Sequence, residues 1–220
     1  MTQKQGRKLK KQEIEALFSI FQKENPAPTT ELSFTSPYTL LVAVVLSAQA
    51  TDISVNKATQ TLFKEADTPQ AMIALGEETV RQHIQSIGLY KNKAKNVIAL
   101  SHKLLTEFEG KVPEGQKDLE SLPGVGRKTA NVVRNTLWGV PTIAVDTHVF
   151  RVSNRMGLAQ GKTPLEVETN LLKNVPKTYL QNAHHWLILH GRYTCLARKP
   201  KCVACPVSHI CTSPDKTSTS

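Results

Sequence analysis

The sequence predicts an all-α protein, and three observations carry that prediction. Apolar residues recur at helical spacing along most of the chain, helix-start signals repeat, and no pair of alternating strands is present. Ile14, Leu17, Phe18 and Phe21 fall at i, i+3, i+4 and i+7, which places one buried stripe on an N-terminal helix. Ser36-Pro37, Thr68-Pro69 and Thr163-Pro164 each set a capping hydroxyl before a proline, so each marks a helix start. Glu166, three residues after Thr163, makes a capping box there. The run Leu40 to Leu46 holds three valines and competes as a strand. It follows Ser36-Pro37 and has no partner strand, so a fully buried helix is the better reading. Val97, Ile98, Leu104, Leu105 and Phe108 mark a further helix, stopped by Gly110. Gly88, Gly139, Gly157 and Gly191 are expected at other helix ends. The basic start and the tail Thr212 to Ser220 are expected to be disordered, and no internal repeat is visible.

A chain of 220 residues, 40% hydrophobic and 21% charged, has the composition of an ordinary globular protein with a real core. The longest apolar run, Leu40 to Leu46, is too short to span a bilayer. Met1 to Lys11 is polar and basic, unlike a secretory signal, so an intracellular location (cytoplasm or nucleoid) is expected. The net charge of +10, from 28 Lys and Arg against 18 Asp and Glu, suits a polyanion such as nucleic acid and not a membrane surface. All four cysteines lie within the last 26 residues. In a reducing compartment such clustering argues for a metal or an iron–sulfur cluster over disulfides.

The string Leu122-Pro123-Gly124-Val125-Gly126-Arg127-Lys128-Thr129-Ala130 lies between two helical stretches. Two glycines around a small apolar residue permit a tight turn and leave the backbone amides open. Those amides begin a helix of about Arg127 to Trp138, whose dipole favours an anion, while Val125 tucks between the two arms. This is a grip for one DNA phosphate without sequence readout. Lys128 stands in the first turn, where the dipole pushes toward the neutral amine that a nucleophilic lysine needs. Its plainer reading is a phosphate contact. Eighteen residues on, Val145-Asp146-Thr147-His148 leads into a helix running to about Met156. Asp146 caps it, and the amide hydrogen bonds favour the ionised carboxylate. On these residues alone, a structural cap is the better reading. Cys195, Cys202, Cys205 and Cys211, separated by six, two and five residues, suit either tetrahedral zinc or a [4Fe–4S] cluster.

Taken together, the hairpin, Lys128, the Val145 to His148 segment, Leu46-Ser47-Ala48-Gln49-Ala50-Thr51-Asp52, Gly88-Leu89-Tyr90 and the four cysteines resemble the helix–hairpin–helix–GPD superfamily of DNA glycosylases. The resemblance runs from about residue 10 to Cys211. It implies two all-α domains with DNA between them: a six-helix domain over 30–140, and a discontinuous cluster domain over 1–29 and 141–220. It implies that Lys128 attacks C1′ of a damaged nucleotide, displaces the base and nicks the strand on the 3′ side by β-elimination, with Asp146 stabilising positive charge on the sugar. Gln49 and Leu89 would wedge into the duplex. Gly124, Gly126, Arg127 and His148 would also meet DNA, and the four cysteines would hold a structural [4Fe–4S] cluster. Arg192, Arg198, Lys199 and Lys201 would offset its charge. The implied partner is double-stranded DNA with oxidised pyrimidines or abasic sites, with no membrane and no obligate protein partner. Two alternatives stand beside this. An adenine-mismatch glycosylase relative lacks the lysine and carries an extra C-terminal domain, and a noncatalytic DNA-binding module needs neither Lys128 nor Asp146. His184 and His185 are read as ordinary helix residues.

Overall fold

The computed structural model describes residues 6–217. Among these every regular element is a helix: α1 (Lys11–Glu24), α2 (Pro37–Leu46), α3 (Asp52–Glu65), α4 (Pro69–Leu75), α5 (Glu77–Ile84), α6 (Tyr90–Glu107), α7 (Gln116–Glu120), α8 (Arg127–Trp138), α9 (Thr147–Met156), α10 (Pro164–Asn174) and α11 (Leu180–Tyr193). They form two compact units. One is Thr30–Trp138, with α2 to α8; the other joins the chain up to Thr29 to everything from Gly139 onward. The first unit thus holds seven described helices where six were expected, one of them the five-residue α7.

In the Thr30–Trp138 unit, α2 is the centre. Ser36 accepts the Thr39 amide, Pro37 occupies the first turn, and every residue from Tyr38 to Leu46 is buried. A helix apolar on all sides must be wrapped by others, and α2 packs against α3, α6 and α8. The buried Ser101 hydroxyl donates to the Val97 carbonyl at 2.7 Å, so the 2.6 Å contact from Tyr38 has the phenol as donor. The buried face of α6 is Lys93, Ala94, Val97, Leu100, Ser101 and Leu104. Ile98, Leu105 and Phe108, expected on that stripe, are only half-buried, because the buried face of α6 is turned toward α4 and α5 as well as α2.

The other unit is built on the stripe Ile14, Leu17, Phe18 and Phe21, packed among Val149, Val152, Val167, Leu171, Trp186 and Leu187 of α9, α10 and α11. Phe18 stacks on Tyr179 at 5.7 Å between ring centres, and the Trp186 indole N–H donates to the Asn25 carbonyl at 2.8 Å. Four expectations need correction. First, the described parts of both chain ends are placed. Leu9 is buried and its amide donates to the Gly157 carbonyl at 2.8 Å, while the Thr212 hydroxyl lies 2.6 Å from the Arg7 carbonyl and 2.9 Å from that of Met156. Residues 1–5 and 218–220 lie outside the described chain. Second, the Thr163 box is half formed. Thr163 accepts the Glu166 amide, but the Glu166 carboxylate takes the Lys162 amide at 2.7 Å. Third, Gly191 does not end a helix; it lies inside α11, where an added Cβ would stand 2.8 Å from His148 Cβ. Its role is to let α9 and α11 approach. Gly88 is likewise no helix end, since α5 stops at Ile84.

Candidate functional site

In the Thr30–Trp138 unit, α7 and α8 form the two arms of the hairpin. Leu119, Leu122 and Val125 are buried beneath it. The Leu122 amide donates to Leu119 and the Val125 amide to Leu122, each at 3.0 Å. Arg134 on α8 donates to the Glu114 carbonyl at 3.0 Å and to Gln116 Oε1 at 2.9 Å, which locks the arms together. From α6, Lys103 Nζ donates to the Ser121 carbonyl at 3.1 Å.

The two glycines answer different needs. Gly124 has φ +80°, and a Cβ there would stand 3.0 Å from Asn96, so the fold itself requires glycine. At Gly126 a Cβ would meet nothing within 4 Å, so no part of the described chain requires its absence. Gly126 is exposed, its carbonyl accepts the Ala130 amide at 2.9 Å, and the amides that follow have no carbonyl in their own helix. A bare backbone at the positive end of a helix has the chemistry of an anion seat. Arg127 and Lys128 take the first two positions of α8, both exposed, with no acidic residue in that turn. The Lys128 amine is therefore open to an electrophile from outside, beside the seat.

Gln49 and Leu89 share an unusual backbone. Gln49 has φ 56° and Leu89 φ 59°, the left-handed region that costs a side-chain-bearing residue roughly 1–3 kcal/mol. Gln49 is exposed in the turn between α2 and α3, and Leu89, at the start of α6, is 58% exposed. The turns are neighbours, since a Cβ on Gly88 would lie 4.0 Å from the Gln49 carbonyl oxygen. The Leu89 backbone starts α6, its carbonyl accepting the Lys93 amide at 3.1 Å, while its side chain stands largely in solvent. Both features suit insertion into something else.

The second unit carries Asp146 and the cysteines. Asp146 is half-buried and caps α9, its Oδ1 accepting the Val149 amide at 2.8 Å. That leaves Oδ2 for other work. His148 is half-buried one turn from Arg151, whose guanidinium is 3.3 Å from His148 Nδ1. Arg151 also donates to the carbonyls of Gly191 at 2.7 Å and Cys195 at 3.1 Å. Arg155, one turn on, donates to the Leu196 carbonyl at 2.7 Å and lies 3.5 Å from Cys195 Sγ. Sequence reasoning missed both arginines. Their only sequence signal is a pair of cations four apart on the helix that Asp146 caps.

Cys195, Cys202, Cys205 and Cys211 are free thiols lining one pocket, together with Arg155, His190 and Lys201. Of the four basic residues expected to offset the cluster's charge, Lys201 reaches this pocket; Arg155 was not foreseen. Burial pushes the Cys205 thiol up to about 11 and raises that of Cys211. Donors already face the sulfurs: the Ser213 amide is 3.5 Å from Cys211 Sγ, the Val207 amide donates to Cys205, and His190 Nε2 is 3.8 Å from Cys205 Sγ. Among the described residues no three Cys, His, Asp or Glu side chains converge tightly enough for a single ion. Sulfurs around one tetrahedral zinc lie within about 4 Å of each other, from Zn–S bonds of about 2.3 Å. Four thiols spread around a shared pocket fit a multi-iron cluster, with one thiolate for each iron.

Residues 42–177 match the HhH-GPD superfamily of base excision DNA repair proteins, and residues 195–211 match the iron–sulfur binding domain of endonuclease III. Endonuclease III of Rickettsia conorii is 58% identical over 198 residues, which cover 90% of this chain and 94% of that one. The Escherichia coli endonuclease III is 56% identical over 200 residues, covering 91% and 95%. A solved endonuclease III trapped as a covalent intermediate with DNA superposes with a TM-score of 0.86 at 48% identity, covering 92% of this chain and 96% of that one.

Proposed function

Since the chain belongs to the HhH-GPD superfamily of base excision DNA repair proteins, among its endonuclease III members, we propose that it removes oxidised pyrimidines from duplex DNA and then cuts the strand at the resulting abasic site. It is a DNA glycosylase and abasic-site lyase, and it carries a [4Fe–4S] cluster. One observation carries the residue assignment: an exposed lysine follows directly on a backbone phosphate seat, in a chain 48% identical to one trapped covalently on DNA.

The bare backbone at Gly124 and Gly126, with Arg127 beside it, holds a phosphate and so fixes the strand. Gln49 and Leu89 enter the duplex and keep the damaged nucleotide out of the stack. The Lys128 amine attacks C1′, the C1′–N bond breaks, and the base leaves with its electron pair. Asp146 Oδ2 stabilises the positive charge developing on the sugar. Loss of a proton from the amine and opening of the sugar ring give an imine between Lys128 and C1′. Removal of a C2′ proton then expels the 3′ phosphate by β-elimination, and water frees the lysine. Cys195, Cys202, Cys205 and Cys211 would hold the cluster, which supplies a four-point crosslink of the C-terminal loop. His148, packed against α11 through Gly191, supports the start of α9 and meets DNA. The protein would act on intracellular DNA, in the cytoplasm or nucleoid. Borohydride reduction on an abasic-site duplex tests this reading. A covalent adduct that maps to Lys128 supports it, and its absence with intact DNA binding removes the lysine nucleophile and the lyase step.

A further inference from the structure

We propose that His190 is a hydrogen-bond donor to the Cys205 sulfur and thereby sets the redox potential, and with it the oxidative stability, of the cluster. The inference rests on the four cysteines holding that cluster. His190 is 7% exposed, in the last turn of α11, with its ring 5.1 Å from that of Phe21. Phe21 and the α11 backbone fix the ring, and Nε2 lies 3.8 Å from Cys205 Sγ. Between a thiol and an imidazole either partner can donate. Once Cys205 is an iron ligand it has no proton, so the N–H must belong to His190.

The other donors to the sulfurs are of different kinds. Those to Cys211 and, besides His190, to Cys205 are backbone amides of Ser213 and Val207, which any substitution but proline leaves in place, and Cys195 has the half-buried Arg155. His190 is the buried side chain among them. A donor to a ligating sulfur withdraws electron density and favours the electron-richer state of the cluster, so it raises the potential. Oxidation is the loss of one electron from the [4Fe–4S]²⁺ form to an oxidant such as ferricyanide, with no proton moved. Removing the His190 donor makes that step easier.

The test uses the holoenzyme with two variants. His190→Phe keeps an aromatic ring against Phe21 and removes the donor, while His190→Gln keeps a donor amide. Iron content is read first, because a parent without iron would sink the premise and not the donor assignment. With clusters loaded, His190→Phe should shift the midpoint potential negative. At a fixed potential its oxidised-to-reduced ratio should rise at least about threefold, or 28 mV for a one-electron couple. Ferricyanide should bleach it several-fold faster, and His190→Gln should recover most of the parent behaviour. An unchanged potential in loaded His190→Phe overturns the proposal. Should that variant fail to load, the parent with ¹⁵N-labelled histidine decides. A resolved ¹⁵N coupling to the paramagnetic oxidised cluster supports the hydrogen bond, and its absence removes it.

Discussion

At the residue scale, the two glycines of the hairpin separate folding from binding. Gly124→Ala must place a side chain at φ +80° against Asn96, and should cost about 2 kcal/mol by chemical denaturation. Gly126→Ala meets no protein atom and should change stability by less than about 1 kcal/mol. It should nevertheless weaken binding to damaged and undamaged duplexes alike, measured by fluorescence anisotropy, because the lost contact is to phosphate. Lys128→Gln should abolish the borohydride adduct and strand cleavage while most damaged-DNA binding survives. Asp146→Asn preserves an acceptor for the Val149 amide and should melt near the parent, yet it should remove bases at least tenfold more slowly in single-turnover assays. Asp146→Ala should in addition lose about 1 kcal/mol of stability. The positions of Lys128 and Asp146 were legible in the sequence because both follow from local signals, a glycine turn and a cap. Arg155 and His190 were not, because the sulfurs they meet lie 40 and 15 residues further along the chain.

At the element scale, the helix starts were readable wherever a hydroxyl preceded proline, and α2, α4 and α10 begin there. Gly191 was misread as a stop, because glycine ends helices more often than it thins them. Its reason is visible only with His148 of α9 set against it. Gly191→Ala should therefore cost about 1–3 kcal/mol through overpacking, read as a lower denaturation midpoint with an unchanged denaturant slope. The left-handed start of α6 predicts the opposite balance. Leu89→Asn puts a residue tolerant of φ 59° where leucine is strained and exposed. Stability should hold or rise by up to about 1 kcal/mol, while base removal from duplex substrate falls several-fold. Equal activity would show that Leu89 enters nothing.

At the scale of the whole molecule, the all-α class was legible because helical periodicity is a local property of the chain. The placed chain ends were not, since the segment Gly6 to Lys10 is held largely by groups distant in the chain: Leu9 packs into the core and its amide meets the Gly157 carbonyl, while the Thr212 hydroxyl lies against the Arg7 carbonyl. Stability should fall in mild acid, through His185. Burial lowers its pKa below the usual 6.5, and Nε2 has no partner. The unfolded chain then binds the extra proton, so the contribution is present above pH 6.5 and is lost as pH falls below it. His185→Leu should flatten that limb of the stability profile. The second unit also has an unusual order of assembly. Its first helix, α1, is separated from α9, α10 and α11 by the whole Thr30–Trp138 unit. At about 5–20 residues per second, a ribosome needs on the order of ten seconds or more to supply those partners. Ile14, Leu17, Phe18 and Phe21 are without their cover throughout that interval. During synthesis this apolar stripe is left uncovered, and a nascent chain arrested before α9 should show the Phe18 region open to protease while the Thr30–Trp138 unit resists it.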